Sequence, residues 1–175
     1  VIRRYTPYAN LAGAQIEDVQ IDTCFKYRKN NRGFENIAIT PNGKIYAMIQ
    51  SPILYPTAAV GDNSRVHRIL EIDPISNTQK MYVYLNDGLV GTGANQIRLR
   101  DWKTGDMAAI NDSTFLVLEA AARGTTDIKR MYTININGAT AVKSGISYAT
   151  NTKTLEALVD SAGLVGQGIV PVRKK

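Results

Sequence analysis

Four polar side chains recur at matching places in two short stretches of the chain, and all four are oxygen donors. Glu35 opens the run that Gln50 closes, and Asp106 opens the run that Glu119 closes. Calcium takes carboxylate, amide and carbonyl oxygens, so this set suits a hard cation. A cation held by Glu35, Asp106 and Glu119 would polarise a phosphoryl oxygen or lower the pKa of a bound water. The same three carboxylates are the candidate catalytic groups. Arg32, Arg65 and Arg123 are placed to clamp an anionic group bidentately, with Gln50 as a further contact. The plainer reading is that strand ends are polar because they meet water. Recurrence in two copies is what points to a site.

Other chemistries fare worse. A Ser/His/Asp triad needs a histidine beside an activated serine, and the single histidine, His67, lies inside a strand-like run between Val66 and Arg68. No Gly-x-Ser-x-Gly elbow is present. Cys24 is the only cysteine, which excludes an internal disulfide and a cysteine-based zinc cluster. Clustered His and Cys, the mark of a transition-metal site, are missing. Gly91-Thr92-Gly93-Ala94 lacks the spacing and strand–helix context of a nucleotide loop.

The elements that would position the four groups are hairpins. Asn36–Thr40 and Lys44–Gln50 flank Pro41-Asn42-Gly43, a strong turn signal because Pro presets φ and Gly accepts a left-handed backbone. The second copy runs from Gly105 to Glu119. A longer strand follows each: Arg65 to Asp73, then Gln79–Leu85 after the turn at 73–77, and in the second copy Lys129 to Ile136. Repeated antiparallel sheets of this kind predict an all-β fold, a β-propeller built of blades that bury their faces on one another. The blades are expected at about 33–86 and 104–150. A tight hairpin returns the chain to the edge it left, so all four groups would share one rim. The long connections 51–64 and 86–104, and the shorter Ala120–Asp127, would emerge there too, as functional loops often do.

Toward the C-terminus, Leu155, Leu158, Val159 and Ala162 sit at helical spacing and predict one short helix ended by Gly163. A blade needs roughly 40 residues or more, so 175 residues hold two full blades plus flanking pieces. The chain therefore reads as one domain, an incomplete portion of a larger propeller. The remaining blades, or self-association, would complete it. The start lacks an initiator Met and reads as internal, and the end reads as the beginning of another strand.

The net charge of +6 favours acidic partners. The basic residues are scattered, without the stripe and stacking aromatics of a nucleic-acid binder, and phosphate esters or an anionic surface fit them at least as well as nucleic acid. Apolar runs are far too short for a membrane span.

The segments Asn31 to Gly43, Gln50-Ser51-Pro52, Arg65 to Asp73, Asp106 to Glu119 and Arg130-Met131-Tyr132 resemble the phytase-like family described by its esterase-like activity. Its members are bacterial, mostly exported propeller proteins. The resemblance covers residues 30–136 well and the 155–164 region more loosely. It implies hydrolysis of phosphoric or carboxylic esters and a secreted or periplasmic location. The chain departs from the family pattern at Asn36, where glycine is usual, and at Ala120, where a basic residue is common. An earlier acidic, aromatic segment and a final asparagine-rich blade are also missing. A non-catalytic propeller binding an anionic ligand or a protein is the alternative reading.

Overall fold

The computed structural model describes residues 2–5, 15–142 and 154–175. Two four-stranded antiparallel sheets dominate it. The first contains β3 (Phe34–Ile39), β4 (Ile45–Ile49), β5 (Val66–Asp73) and β6 (Thr78–Leu85), in chain order across the sheet. The second contains β7 (Trp102–Ala109), β8 (Thr114–Arg123), β9 (Thr126–Asn135) and β10 (Arg173–Lys174). A separate hairpin pairs β1 (Ile2–Tyr5) with β2 (Gln15–Val19). The fold is thus the expected all-β one, two propeller blades face to face. The fourth strand of the second blade comes from Arg173–Lys174, and residues 143–150 of the blade expected at 104–150 lie outside the described residues.

The repeat extends to an irregularity. Both inner hairpins carry a register shift near their rim ends, between Phe34 and Asn36 in one and between Thr104 and Asp106 in the other. A bulge of this kind inserts an unpaired residue and bends the strand. Asn36 pairs with Met48 as Asp106 pairs with Leu118. Asp106 is therefore the counterpart of Asn36, and Glu35 that of Gly105, a shift of one from the alignment the sequence suggests.

Alternation along the strands divides the core into two layers. Ala38, Tyr46, Met48, Ile69 and Tyr84 leave the first sheet on one face and meet Met107, Phe115, Val117 and Ile134 of the second. The Tyr46 and Phe115 rings lie 4.7 Å apart. The opposite face of the first sheet presents Ala47, Ile49, Val66, Leu70, Met81 and Val83. Cys24 and Phe25 cover it, with Leu155, Leu158, Leu164 and Ile169. Cover on both faces leaves β5 buried from Val66 to Ile72, including the polar His67, Arg68 and Glu71. Each apolar side chain so buried contributes about 1.5–3 kcal/mol.

The predicted C-terminal helix is broken in two. Glu156–Leu158 is a single 3₁₀ turn, and a separate helix α2 spans Ser161–Val165. Val159 between them has φ +62°, which interrupts the helix, and the Asp160 carboxylate restarts it by accepting the Gly163 amide at 3.1 Å. Gly163 therefore sits inside α2 and does not end it. A Cβ there would stand 2.0 Å from the Leu158 carbonyl oxygen. Gly163→Ala is expected to cost about 2 kcal/mol or more despite alanine's better helix propensity, and urea unfolding reads it directly.

The loop expected at Ala120–Asp127 is instead strand. β8 and β9 pair without interruption to Arg123↔Thr126, and Gly124, at φ +56°, closes a two-residue turn. The connection 51–64 does emerge as a long loop and holds helix α1 (Ala58–Asp62).

Candidate functional site

The rim where β3 and β7 begin is stitched by backbone. Gln50 N–H donates to Gly33 O at 2.9 Å, and Thr104 N–H donates to Gln50 O at 3.0 Å. The half-buried Gln50 thus joins the two blades through its main chain. Beside it the buried Asn36 amide donates to the carbonyl and hydroxyl oxygens of Thr104, at 3.2 and 3.0 Å.

The three carboxylates occupy different surroundings. Glu35 is exposed, and its Oε1 accepts the Gly33 amide at 3.2 Å. Asp106 is exposed and accepts the Met107 amide at 2.8 Å. Met107 faces the inter-blade core, so Asp106 projects from the other face of β7. Glu119 is fully buried between the blades. Its Oε1 accepts Lys174 Nζ at 2.6 Å and the Tyr84 hydroxyl. Burial pushes its carboxyl up, and those two hydrogen bonds only partly offset this. The donor set does not fit a calcium cage. Among the described residues, no three of His, Cys, Asp or Glu are grouped to hold a metal ion, and the Lys174 ammonium already occupies the Glu119 carboxylate.

Sequence reasoning missed the centre of this network, Asp87. It accepts Lys174 Nζ at 2.5 Å, the Tyr132 hydroxyl at 2.6 Å and a guanidinium N–H of Arg130. Burial would raise its carboxyl, but these donors outweigh burial and hold it below the usual range. No sequence signal marks it, because Lys174 is 87 positions away in a basic tail that reads as solvated.

The three predicted arginines act first as braces. Arg32 Nη1 donates to the carbonyls of Arg100 and Trp102 at 3.0 and 3.3 Å. Arg65 Nε and Nη2 both donate to Asn86 O, at 2.9 and 2.6 Å. Arg123 Nε donates to Ala94 O at 3.0 Å. Around Asp101 the rim is nevertheless strongly cationic. Arg98 Nε and Arg123 Nη1 stand 3.6 and 3.8 Å from its Oδ2, both buried and without a hydrogen bond. Arg32, Lys103 and Asp101 line a cleft of about 210 Å³ together with Ala120–Ala122 and Asp127. Burial lowers the pKa of Arg32, as expected of a cation with no carboxylate in ion-pair contact among the described residues. Asp127 is neutralised by Lys129 at 2.7 Å. Arg100 and Lys103 are exposed on either side of Asp101.

His67 and Cys24 are structural. His67 Nδ1 faces Ile49 O at 3.3 Å and Nε2 faces the Asn86 amide at 3.1 Å. That pairing fits a neutral ring donating from Nδ1, with its pKa lowered to about 3, chiefly by burial. Burial likewise raises the Cys24 thiol to about 12, far from a reactive thiolate.

No curated protein and no solved structure matches the chain. A family model does, over residues 2–170. With two propeller-like blades, a repeated bulged hairpin and a match across nearly its whole length, the chain belongs to the phytase-like family described as having the esterase-like activity of phytase.

Proposed function

We propose that the chain forms the anion-gripping rim of an exported bacterial hydrolase of phosphoric or carboxylic esters. One observation carries the reading. Arg32 and Lys103 line an open cleft with Asp101, and Arg98, Arg100 and Arg123 add further positive charge around that carboxylate. The exposed Arg100 and Lys103 and the half-buried Arg32 supply the cationic N–H donors that an ester's anionic group needs. Low local dielectric around the half-buried Arg32 strengthens that attraction. Family membership supports hydrolysis as the class of reaction.

The second reading, a non-catalytic propeller that binds the same anions, is favoured by one specific observation. His67 and Cys24, the imidazole and the thiol that nucleophilic catalysis would use, are both sealed in the core.

Titration with an aryl phosphate separates the cases. Binding should weaken about 10-fold or more in the Arg32→Gln, Lys103→Gln double variant, since a charge-assisted hydrogen bond contributes about 1.5–3 kcal/mol. Unchanged affinity would sink the rim as the anion site. Aryl phosphate and aryl ester turnover then distinguishes hydrolase from binder. Added calcium and a chelator form two further arms, because the oxygen donors read from the sequence suit a hard cation, although Glu35, Asp106 and Glu119 are not grouped to hold one.

A further inference from the structure

Where the segment around Phe25 meets the rim end of the first sheet lies a cleft of about 450 Å³, which shares no lining residue with the one beside Asp101. Its floor is apolar. Phe34 and Ile49 are cross-strand partners in β3 and β4 and leave the sheet on one face. Ile21 and Phe25 of the covering segment complete that floor. The Phe25 and Phe34 rings are tilted, with their centroids 4.7 Å apart.

The mouth of the cleft is cationic. Residues Thr23–Tyr27 form a 3₁₀ turn capped by Asp22, whose carboxylate accepts the Cys24 amide at 2.8 Å. Three residues make one such turn, so Arg28, whose own N–H donates to Phe25 O at 3.2 Å, lies on the side of the Phe25 ring. Its Cδ and Nε would stand 3.9 and 4.0 Å from a Cβ at Gly33, which places the side chain along the cleft wall. Lys26 is exposed, with Nζ 4.9 Å from the centre of the Tyr27 ring. Among the described residues neither Lys26 nor Arg28 has a carboxylate in ion-pair contact. Asp22 is the one carboxylate among the lining residues, and its Oδ1 already holds the cap. Glu35 is engaged by the Gly33 amide at 3.2 Å. The balance of charge at the mouth is positive.

We propose that this cleft binds an aromatic carboxylate, its ring against Phe25 and Phe34 and its carboxylate on Arg28, with Lys26 adding attraction. An apolar cleft on which a few polar groups converge is the usual form of a small-molecule site. Volume sets the size of the ring system. A dry cavity of roughly 150 Å³ holds benzene, so about 450 Å³ admits two fused rings with a carboxylate at their edge. The aromatic pair favours a ring over an alkyl chain, because tilted and offset ring contacts add attraction beyond the area they bury. A guanidinium offers two parallel N–H groups to the two carboxylate oxygens. This site is separate from the anion grip at the Asp101 rim and does not rest on it.

Calorimetric titration of the 175-residue chain with naphthoate tests this, with naphthylmethanol as the uncharged counterpart. Naphthoate should bind with a Kd below about 1 mM. The alcohol should bind at least about 10-fold more weakly, since it lacks the charge-assisted hydrogen bonds. Arg28→Gln alters an exposed side chain, and unchanged far-UV circular dichroism verifies folding. It should weaken naphthoate about 10-fold and leave the alcohol unchanged. Phe34→Leu keeps an apolar side chain but removes the ring, and should weaken both ligands about 3-fold or more. No naphthoate binding at about 1 mM, or equal affinities for the acid and the alcohol, would overturn the inference. So would an Arg28→Gln or Phe34→Leu variant that binds naphthoate as the parent chain does. Binding abolished instead by the Arg32→Gln, Lys103→Gln pair would place naphthoate at the Asp101 rim and overturn it equally.

Discussion

Arg68→Met is expected to destabilise the protein by about 3–5 kcal/mol, the cost of leaving a buried charge without its partner. Arg68 lies in the middle of β5 and is wholly buried. Its Nε and Nη2 donate in parallel to Glu156 Oε1 and Oε2, at 2.8 and 2.7 Å. Glu156 is also fully buried. Burial would lower the Arg68 pKa, but the attraction of Glu156 outweighs it and raises that pKa, so Arg68 stays charged. This fork pins the 154–158 turn over the first blade from 88 positions away in sequence. Adding Glu156→Leu should restore most of the loss, because replacing both members of a buried pair with apolar groups is often nearly neutral. Urea unfolding of the two single variants and the double checks the cycle. Additive losses would show that the two residues do not act as a pair.

Acid should weaken the fold well before the carboxylates titrate. The ordinary value for the His67 imidazole is 6.5, and in the folded chain it is about 3. Between those values the unfolded chain binds a proton that the folded chain refuses. The contribution is therefore complete above pH 6.5 and falls away as pH drops toward 3. At about 1.4 kcal/mol per pH unit, the loss is on the order of 5 kcal/mol. Asp87 and Glu71, both held below their ordinary values, add losses only at lower pH. Glu119 acts in the opposite sense, its contribution present at low pH and lost as pH rises through its elevated value. Stability measured by urea from pH 7.5 to 3.5 should begin to fall near 6.5. In His67→Gln, which keeps a donor for Ile49 and an acceptor for Asn86, the fall should start only near 4.5. Parallel curves for the two proteins would refute the assignment to His67.

The blades were legible because hairpin chemistry is local. Pro41-Asn42-Gly43 and the alternation of β5 need only a few neighbouring residues to be read. The bulges were not legible, since an extra residue in one strand shows only when its partner strand is in place. That single-residue shift is why Glu35 and Asp106 look equivalent in sequence while the register pairs Asp106 with Asn36. The seam around Asp87 was hidden for a related reason. Its carboxylate is surrounded by Tyr132, Arg130 and Lys174, which only the closed fold brings near. The arginines of the rim were visible as charges. Their use as braces for the carbonyls of Asn86, Ala94 and Arg100 depends on loop paths that no local pattern encodes.

The order in which the strands appear along the chain has a consequence for synthesis. β10 joins the second blade only after the chain has crossed back over the first, through α2 and the 3₁₀ turn before it. As the polypeptide emerges residue by residue, β9 waits with an unpaired edge and Glu119 waits without Lys174, 55 positions downstream. An exposed edge and an unpaired buried carboxylate are both costly. Strand β10 thus locks the seam between blades, and the seam is vulnerable until that strand has been made. A chain stopped before Lys174 would carry that vulnerability permanently.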